Sequence, residues 1–312
     1  MQPTNTSPSL RAYASATEVL SCARGGRRLN NATAKSADHL LSIVTVCYNS
    51  EKTISRTIDS IAAQTYPHIE YIVVDGGSTD RTVEILRSRQ TDIDLWISER
   101  DHGISDAFNK GISLTRGEFI ALVNSDDWVN PDHMECAIAA LSKSDSDFVF
   151  GNLIVHGQDG SPLHVFRGDP DYRRTIRNAM PGIPHPSVVC RRTIYERLGL
   201  YRTDLRIAMD YEWLLRCHLA GVRGVYTPTI TSHMDGGGIS NKAAQQSLAE
   251  VREISAVYGY PRFLAWIRFV ARVSRLHARI LLEQKISPNF ASRLRSLINS
   301  RYRHPDSQNS NQ

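Results

Sequence analysis

Glu118-Phe119-Ile120-Ala121-Leu122-Val123-Asn124-Ser125-Asp126-Asp127-Trp128 decides the fold of this chain. An apolar strand of buried type runs directly into two adjacent carboxylates. The interior of a sheet has no water to solvate such a pair, so it belongs at the strand's carboxyl end, facing a cleft. Neighbouring carboxylates repel unless a cation or a positively polarised group lies between them. A hard divalent ion such as Mg or Mn, held through oxygen together with a substrate's phosphates, answers that need. The competing assignment is helix capping, with Asp126 or Asp127 ahead of a helix starting near Pro131.

Outward from this stretch the chain alternates short apolar runs with amphipathic segments. Leu41 to Cys47 reads as strand, Ser50 to Gln64 as helix with Ile54, Ile58 and Ile61 on one face, and Ile69 to Val74 as strand. Helix, strand (Ile93 to Ile97) and helix (Ser105 to Leu114) then lead to the strand before the acid pair. This rhythm predicts an α/β fold with a mostly parallel central sheet flanked by helices. Ligands of such sheets bind at the carboxyl ends of the strands. Asp75, Asp101 and Asp126-Asp127 follow successive strands and are therefore expected on one edge. Beyond residue 150 come a strand at Phe148 to Val155, a turn-rich Pro181 to Pro186, a short strand at Val188 to Cys190, a helix at Met209 to Ala220 and a strand at Gly221 to Ile230.

With 312 residues and 41% hydrophobic content the chain can bury a sizeable core. Its five cysteines show no metal-ligand spacing, and Cys47 and Cys190 lie in apolar runs, which predicts reduced, buried thiols and a cytoplasmic setting. Residues 1–40 are polar, lack a signal-peptide core and read as a disordered leader. No run approaches the length of a membrane span. The net charge of +5 is uneven: residues 251–312 carry eleven Lys/Arg against three Asp/Glu. The basic character is thus a property of the tail and of what the tail touches.

Asp75-Gly76-Gly77-Ser78-Thr79-Asp80 follows a strand and opens a helix, so its glycines permit close backbone approach to a ligand. It is neither a Walker loop nor a G-x-G-x-x-G fingerprint. Asp75 can accept from a base imide or a ribose hydroxyl, or it can serve a tight turn.

Ser42-Ile43-Val44-Thr45-Val46-Cys47-Tyr48-Asn49, Val73 to Asp80, Asp101-His102-Gly103-Ile104-Ser105-Asp106-Ala107-Phe108-Asn109-Lys110-Gly111 and Asn124 to Asp127 stand in order. Together they resemble the nucleotide-sugar-binding half of family 2 glycosyltransferases of the GT-A fold, over about residues 40–240. The resemblance implies a domain at 41–240, and the charge and helical pattern beyond it read as a basic amphipathic helical extension at 241–312. It implies that Tyr48 lies near the nucleoside, that Asp75 contacts base or ribose, and that Asp101 and Asn109 shape the nucleotide-sugar pocket. Asp126 is expected beside ribose and metal, and Asp127 on the divalent ion. Many members carry a second acid where this chain has Gly76.

Ile207-Ala208-Met209-Asp210-Tyr211-Glu212 resembles the family's later acidic motif, with Met209 where members often carry Glu. The resemblance implies Asp210 as the base that takes the acceptor's hydroxyl proton in inverting transfer. The other assignments are an N-cap for Asp210 and Glu212 as base, although Glu212 points about 200° away around the helix. His233, ahead of three glycines, is expected at the diphosphate or metal, and His185 beside the acceptor; either can also be a plain surface or capping residue. Trp128 is a candidate to stack on a sugar, and Trp213 to pack in the core.

The implied function is metal-dependent transfer of a single sugar from a nucleoside diphosphate sugar, UDP-linked, to a hydroxyl acceptor. The polymer-synthase signature Gln-x-x-Arg-Trp is missing from the sequence. In the tail, Arg268, Arg272, Arg275 and Arg279 share about 60° of a helical wheel, opposite Phe263, Trp266, Val270, Val273 and Ile280. Residues 261–284 thus suit an anionic inner-leaflet surface, and a lipid-linked glycan as acceptor. The alternative is a helix that packs its apolar face on the domain and solvates its arginines. No nucleic-acid motif is found. Two rival classes are a nucleotidyltransferase and a non-catalytic nucleotide-sugar-binding protein.

Overall fold

The computed structural model describes residues 8–10, 23–30, 39–157, 159–236, 244–283 and 302–303. The chain enters the sheet earlier than expected. Ala23–Gly25 forms an edge strand, β1, and Arg27 and Arg28 behind it bond Asp94 and Glu70. Leu10 is buried in the core. For these residues the expected disordered leader is replaced by added structure; the remainder of that segment lies outside the described residues.

β2 (Leu41–Cys47), β3 (Ile69–Asp75), β4 (Leu95–Ser98) and β5 (Phe119–Leu122) supply the expected parallel core, in spatial order β4-β3-β2-β5. All seven residues of β2 are buried, as a strand covered on both faces requires. Helices α1 (Ile54–Ala62), α2 (Thr82–Ser88) and α3 (Ile104–Leu114) make the crossovers. Helix α3 lies hard against the sheet at Gly111, where a Cβ would overlap Val44.

Past β5 the sheet becomes mixed. β6 (Asp127–Val129) is followed by α4 (His133–Lys143), then β7 (Phe148–His156), β8 (Pro162–Phe166) and β9 (Val189–Arg191). β9 joins β5 to β7 through antiparallel ladders, α5 (Thr193–Leu198) and α6 (Met209–Leu219) follow, and β10 (Gly224–Asp235) runs parallel to β7 and antiparallel to β6. β10 continues five residues beyond the expected Ile230, because β7 and β6 both supply it with hydrogen-bonding edges. Two apolar clusters fill the sheet's two faces. Trp213 is fully buried and stacks on Tyr195 at 5.1 Å, as core packing predicts. Cys47, Cys190 and Cys217 are buried free thiols.

The C-terminal part adds α7 (Ala244–Val257) and α8 (Arg262–Glu283), while Tyr302–Arg303, β11, pairs with β8. Helix α8 docks in the opposite sense from simple core packing. Ala265 is buried, and Arg272 reaches inward to donate to the Asn178 carbonyl at 3.0 Å. Phe263 (70% exposed), Leu264, Trp266, Ile267 and Val270 face outward. Among the described residues no helix is long and apolar enough to cross a membrane.

Candidate active site

The carboxyl ends of β2, β3 and β4 lie level, with Cys47, Asp75 and Ser98 in register. Asn49 takes a left-handed turn (φ 51°), which an asparagine tolerates, and its side-chain oxygen accepts from Thr79 N at 2.9 Å. Its own N–H donates to Ser78 Oγ at 2.7 Å, locking the β2 loop to the 76–80 turn. Tyr48, on that loop, is 60% exposed and presents a ring to the edge.

Asp75 has a different task from the expected ligand contact. It is fully buried, and its carboxylate accepts from Gly77 N (3.1 Å), Ser78 N (3.0 Å), Ser98 Oγ (2.6 Å) and Ser78 Oγ. Those bonds hold the turn and leave Asp75 no open face. Asp101 is the accessible acid. One of its oxygens accepts from Gly103 N at 2.9 Å, and the other lies over Gly76, where a Cβ would overlap it. The space that a side chain at 76 would need is therefore filled by the Asp101 carboxylate. Asn109 is fully buried, and its amide exchanges two bonds of 2.9 Å with the Tyr201 backbone. Any part it has in shaping a pocket is exerted through the backbone it holds.

The acid pair is not a helix cap, since α4 begins at His133 behind Asp132. Helix α1 grips its loop instead. Thr57 Oγ1 donates to the carbonyls of Ser125 and Asp127, and Arg56 donates to the Asp126 carbonyl (3.0 Å) and to Asp235 (2.7 Å). Asp127 is 2% exposed, and Asn124 Nδ2 donates to it at 2.8 Å. Burial, then Asp126, push its carboxyl well above the usual carboxylate range. Burial likewise raises Asp126, with Asp235 adding to the effect and Arg56 opposing it.

This chemistry suits a divalent ion. Two carboxylates with raised proton affinity adjoin a buried Asn124 Oδ1 that lacks a hydrogen-bond partner. Among the described residues no three His, Cys, Asp or Glu side chains form a ready-made cage. A two-pronged oxygen site fits an ion whose remaining ligands come from a diphosphate and water. His233 does not join it. The β10–β6 ladder pairs His233 with Trp128 and Met234 with Asp127, so alternation puts His233 and Asp127 on opposite faces. The His233 ring stacks on Trp128 (5.2 Å, 9°), and its nitrogens are taken by His156 (3.0 Å) and Asn130 (2.8 Å). Burial pushes it down to about 4, so it is neutral.

Asp210 comes from α6, whose apolar residues Met209, Tyr211 and Trp213 belong to one of the two core clusters. The residue preceding the helix is Ala208, so Asp210 is not the N-cap; it accepts from Tyr211 N at 2.7 Å. Burial raises its carboxyl, and the nearby His185 opposes the shift. His185 bonds the Tyr201 hydroxyl at 3.0 Å, and burial lowers its own proton affinity. Glu212, the alternative candidate, is committed elsewhere. It is fully buried and bound by Arg216 at 3.0 and 3.1 Å and by the Tyr258 hydroxyl.

Sequence reading missed Arg56, Asn124 and Asp235. Asn124 had a signal, an amide just ahead of an acid pair. Arg56 and Asp235 are 179 residues apart in the chain, and only the fold joins them.

An acid-lined carboxyl edge on a mixed α/β sheet flanked by helices is the architecture of a GT-A glycosyltransferase. Residues 42–199 match the model of Glycosyl transferase family 2, and the chain belongs to that family. It is 26% identical over 236 residues to the PGL/p-HBAD biosynthesis glycosyltransferase of Mycobacterium tuberculosis, covering 73% of this chain and 90% of that protein. It is 31% identical over 144 residues to glycosyltransferase GlyA of Streptococcus pneumoniae; the match covers 45% of this chain but only 21% of GlyA. Among solved structures, Staphylococcus aureus TarS 1–349 with UDP-GlcNAc shares the fold at TM-score 0.53 and 19% identity, over 72% and 69% of the two chains. The mannosyltransferase PcManGT of Pyrobaculum calidifontis, with GDP-Man and Mn2+, does so at 0.55 and 17%, over 92% and 94%.

Proposed function

We propose that the chain moves one sugar from a UDP-linked donor to a hydroxyl acceptor with inversion at the anomeric carbon. The observation that carries this reading is the division of acids. Asp126 and Asp127 adjoin each other after the last parallel strand, while Asp210 stands on α6 beside His185. One acid set suits a diphosphate and its counter-ion; the other suits a proton.

Tyr48 offers an exposed ring for the base, and Asp101 an open oxygen for a base or ribose donor. Asp210 takes the acceptor's hydroxyl proton as its oxygen bonds to the anomeric carbon and the bond to the diphosphate breaks on the opposite face. Arg56 fixes the Asp126 loop, so that the acid pair keeps its place while the leaving group departs. A divalent ion, Mn or Mg, held by Asp127 with Asp126 and Asn124 Oδ1, would offset charge developing on the diphosphate. The nucleoside diphosphate sugars named for TarS and PcManGT support this donor class, and the Mn2+ named for PcManGT supports the ion.

A lipid-linked acceptor at the inner face of a membrane is part of the same reading. Its support is the outward stripe of α8, Phe263, Trp266, Ile267 and Val270, flanked by the exposed Arg268 and Arg275. A stripe of aromatics beside arginines suits an anionic interface.

Calorimetric titration with UDP, GDP and dTDP, with and without Mn, tests the donor and ion assignments. We expect Mn-dependent binding of UDP that Asp127→Ala abolishes. A folded protein that binds none of the three would overturn the reading.

A further inference from the structure

Helix α6 carries Asp210 two residues into its first turn, yet the residue in front, Ala208, has no side-chain acceptor to cap it. The cap arrives from α7. Glu250 Oε2 accepts from Ala208 N at 2.8 Å and Ile207 N at 3.0 Å, and Oε1 accepts from Arg206 N at 3.3 Å. Gln246, one turn earlier on α7, donates to Oε1 at 3.2 Å and steadies the carboxylate. One side chain thus gathers three consecutive N–H groups at the entrance to α6. A negative charge here also sits at the helix's positive end.

No neighbour on α6 could perform this task. Met209 is apolar and buried, with its sulfur near Ser105 Oγ, and Glu212 is committed to Arg216 and Tyr258. Two side-chain ties join these parts of the chain: Tyr258, just after α7, bonds Glu212 on α6, and Glu250 on α7 bonds the segment that leads into α6.

We propose that Glu250 is a positioning residue for sugar transfer: by holding the N–H groups of residues 206–208 it fixes the first turn of α6 and the direction from which Asp210 meets the acceptor hydroxyl. This inference rests on the reading of Asp210 as the base. Glu250 has a second, electrostatic effect through the same geometry. The titratable groups that face Asp210 are His185 from the 185–187 turn, Tyr201 from the loop after α5, and Glu250 from α7. His185 favours the Asp210 anion, and Glu250 disfavours it and so strengthens the base. Replacing Glu250 by glutamine keeps an acceptor oxygen and removes the charge. Asp210 then loses its proton more readily, and the acidic limb of the kcat profile moves to lower pH.

The test uses the full chain, with UDP-glucose and UDP-N-acetylglucosamine as donors, octyl glucoside as hydroxyl acceptor, and released UDP as the signal. Glu250→Gln, Glu250→Ala and Asp210→Asn are compared, with UDP affinity measured in parallel and amide hydrogen exchange followed at residues 206–208. We expect unchanged UDP affinity in all three. Glu250→Gln should lower kcat and shift its acidic limb downward. Glu250→Ala should lower kcat about 100-fold, the scale of a misplaced catalytic group, with faster exchange at 206–208. Should the alanine variant not fold, the glutamine variant's limb decides. An unmoved limb and native kcat in Glu250→Gln, with Asp210→Asn inactive, would overturn the role of Glu250 alone. Full activity in Asp210→Asn would overturn the base assignment and this inference with it.

Discussion

The guanidinium of Arg56 lies 3.7 Å over the indole of Trp128 while donating to Asp235 at 2.7 Å. One side chain therefore couples α1, the acid-pair loop and the end of β10. Stacking and a forked donor pattern both need the planar guanidinium, which lysine lacks. Arg56→Lys should weaken Mn-dependent UDP binding about tenfold, equivalent to about 1.4 kcal/mol, with little change in melting temperature. Calorimetry decides, and unchanged affinity would mean that the loop holds itself.

Gly76 and Asp101 compete for one space. Gly76→Ala should displace the Asp101 carboxylate and depress UDP binding. Adding Asp101→Gly should relieve the clash but not restore affinity, because the open acid is then gone. If the double variant binds UDP as the native chain does, Asp101 has no part in recognition.

Glu212 and Arg216 form a buried pair at 3.0 Å, and Arg216 also donates to the carbonyls of Leu198, Gly199 and Leu200. Removing one partner strands a buried charge, at a cost of about 3–5 kcal/mol. Glu212→Ala should therefore lower stability by that order in denaturant unfolding. Activity per folded molecule should fall far less than in Asp210→Asn. Equal losses of turnover in the two variants would restore Glu212 as a candidate base.

The outward stripe of α8 should bind anionic vesicles. Trp266→Ser with Val270→Ser should reduce sedimentation with phosphatidylglycerol vesicles, and Arg268→Gln with Arg275→Gln should remove its salt dependence. UDP affinity should stay native in both. Native vesicle binding by the serine variant would reject this surface.

How far these features could be read from the chain depends on distance. The strand and helix rhythm of residues 41–122 is local, and by itself it assigns Asp75, Asp101 and the acid pair to one edge. The division of labour between Asp75 and Asp101 was hidden, because it depends on the gap over Gly76 that only packing reveals. The position of His233 depends on parity: β10 runs on to Asp235, and its register with β6 turns His233 away from Asp127. Helical periodicity located both faces of α8 but not their surroundings: Arg272 bonds Asn178, while Arg268 and Arg275 of the same face stay exposed. The three-residue β1 has too few apolar positions to show a period at all.

The central claim is that Asp210 removes the acceptor's proton, and its direct test is turnover of the native chain against Asp210→Asn as a function of pH. The readout is UDP released in the presence of donor, Mn and octyl glucoside. Native kcat should rise with pH through the Asp210 titration, above the ordinary carboxylate range because burial raises that group. Asp210→Asn should bind UDP normally and lose about 10²–10⁴-fold in kcat, with that limb gone. Native turnover in Asp210→Asn, with the same pH dependence, would contradict the account.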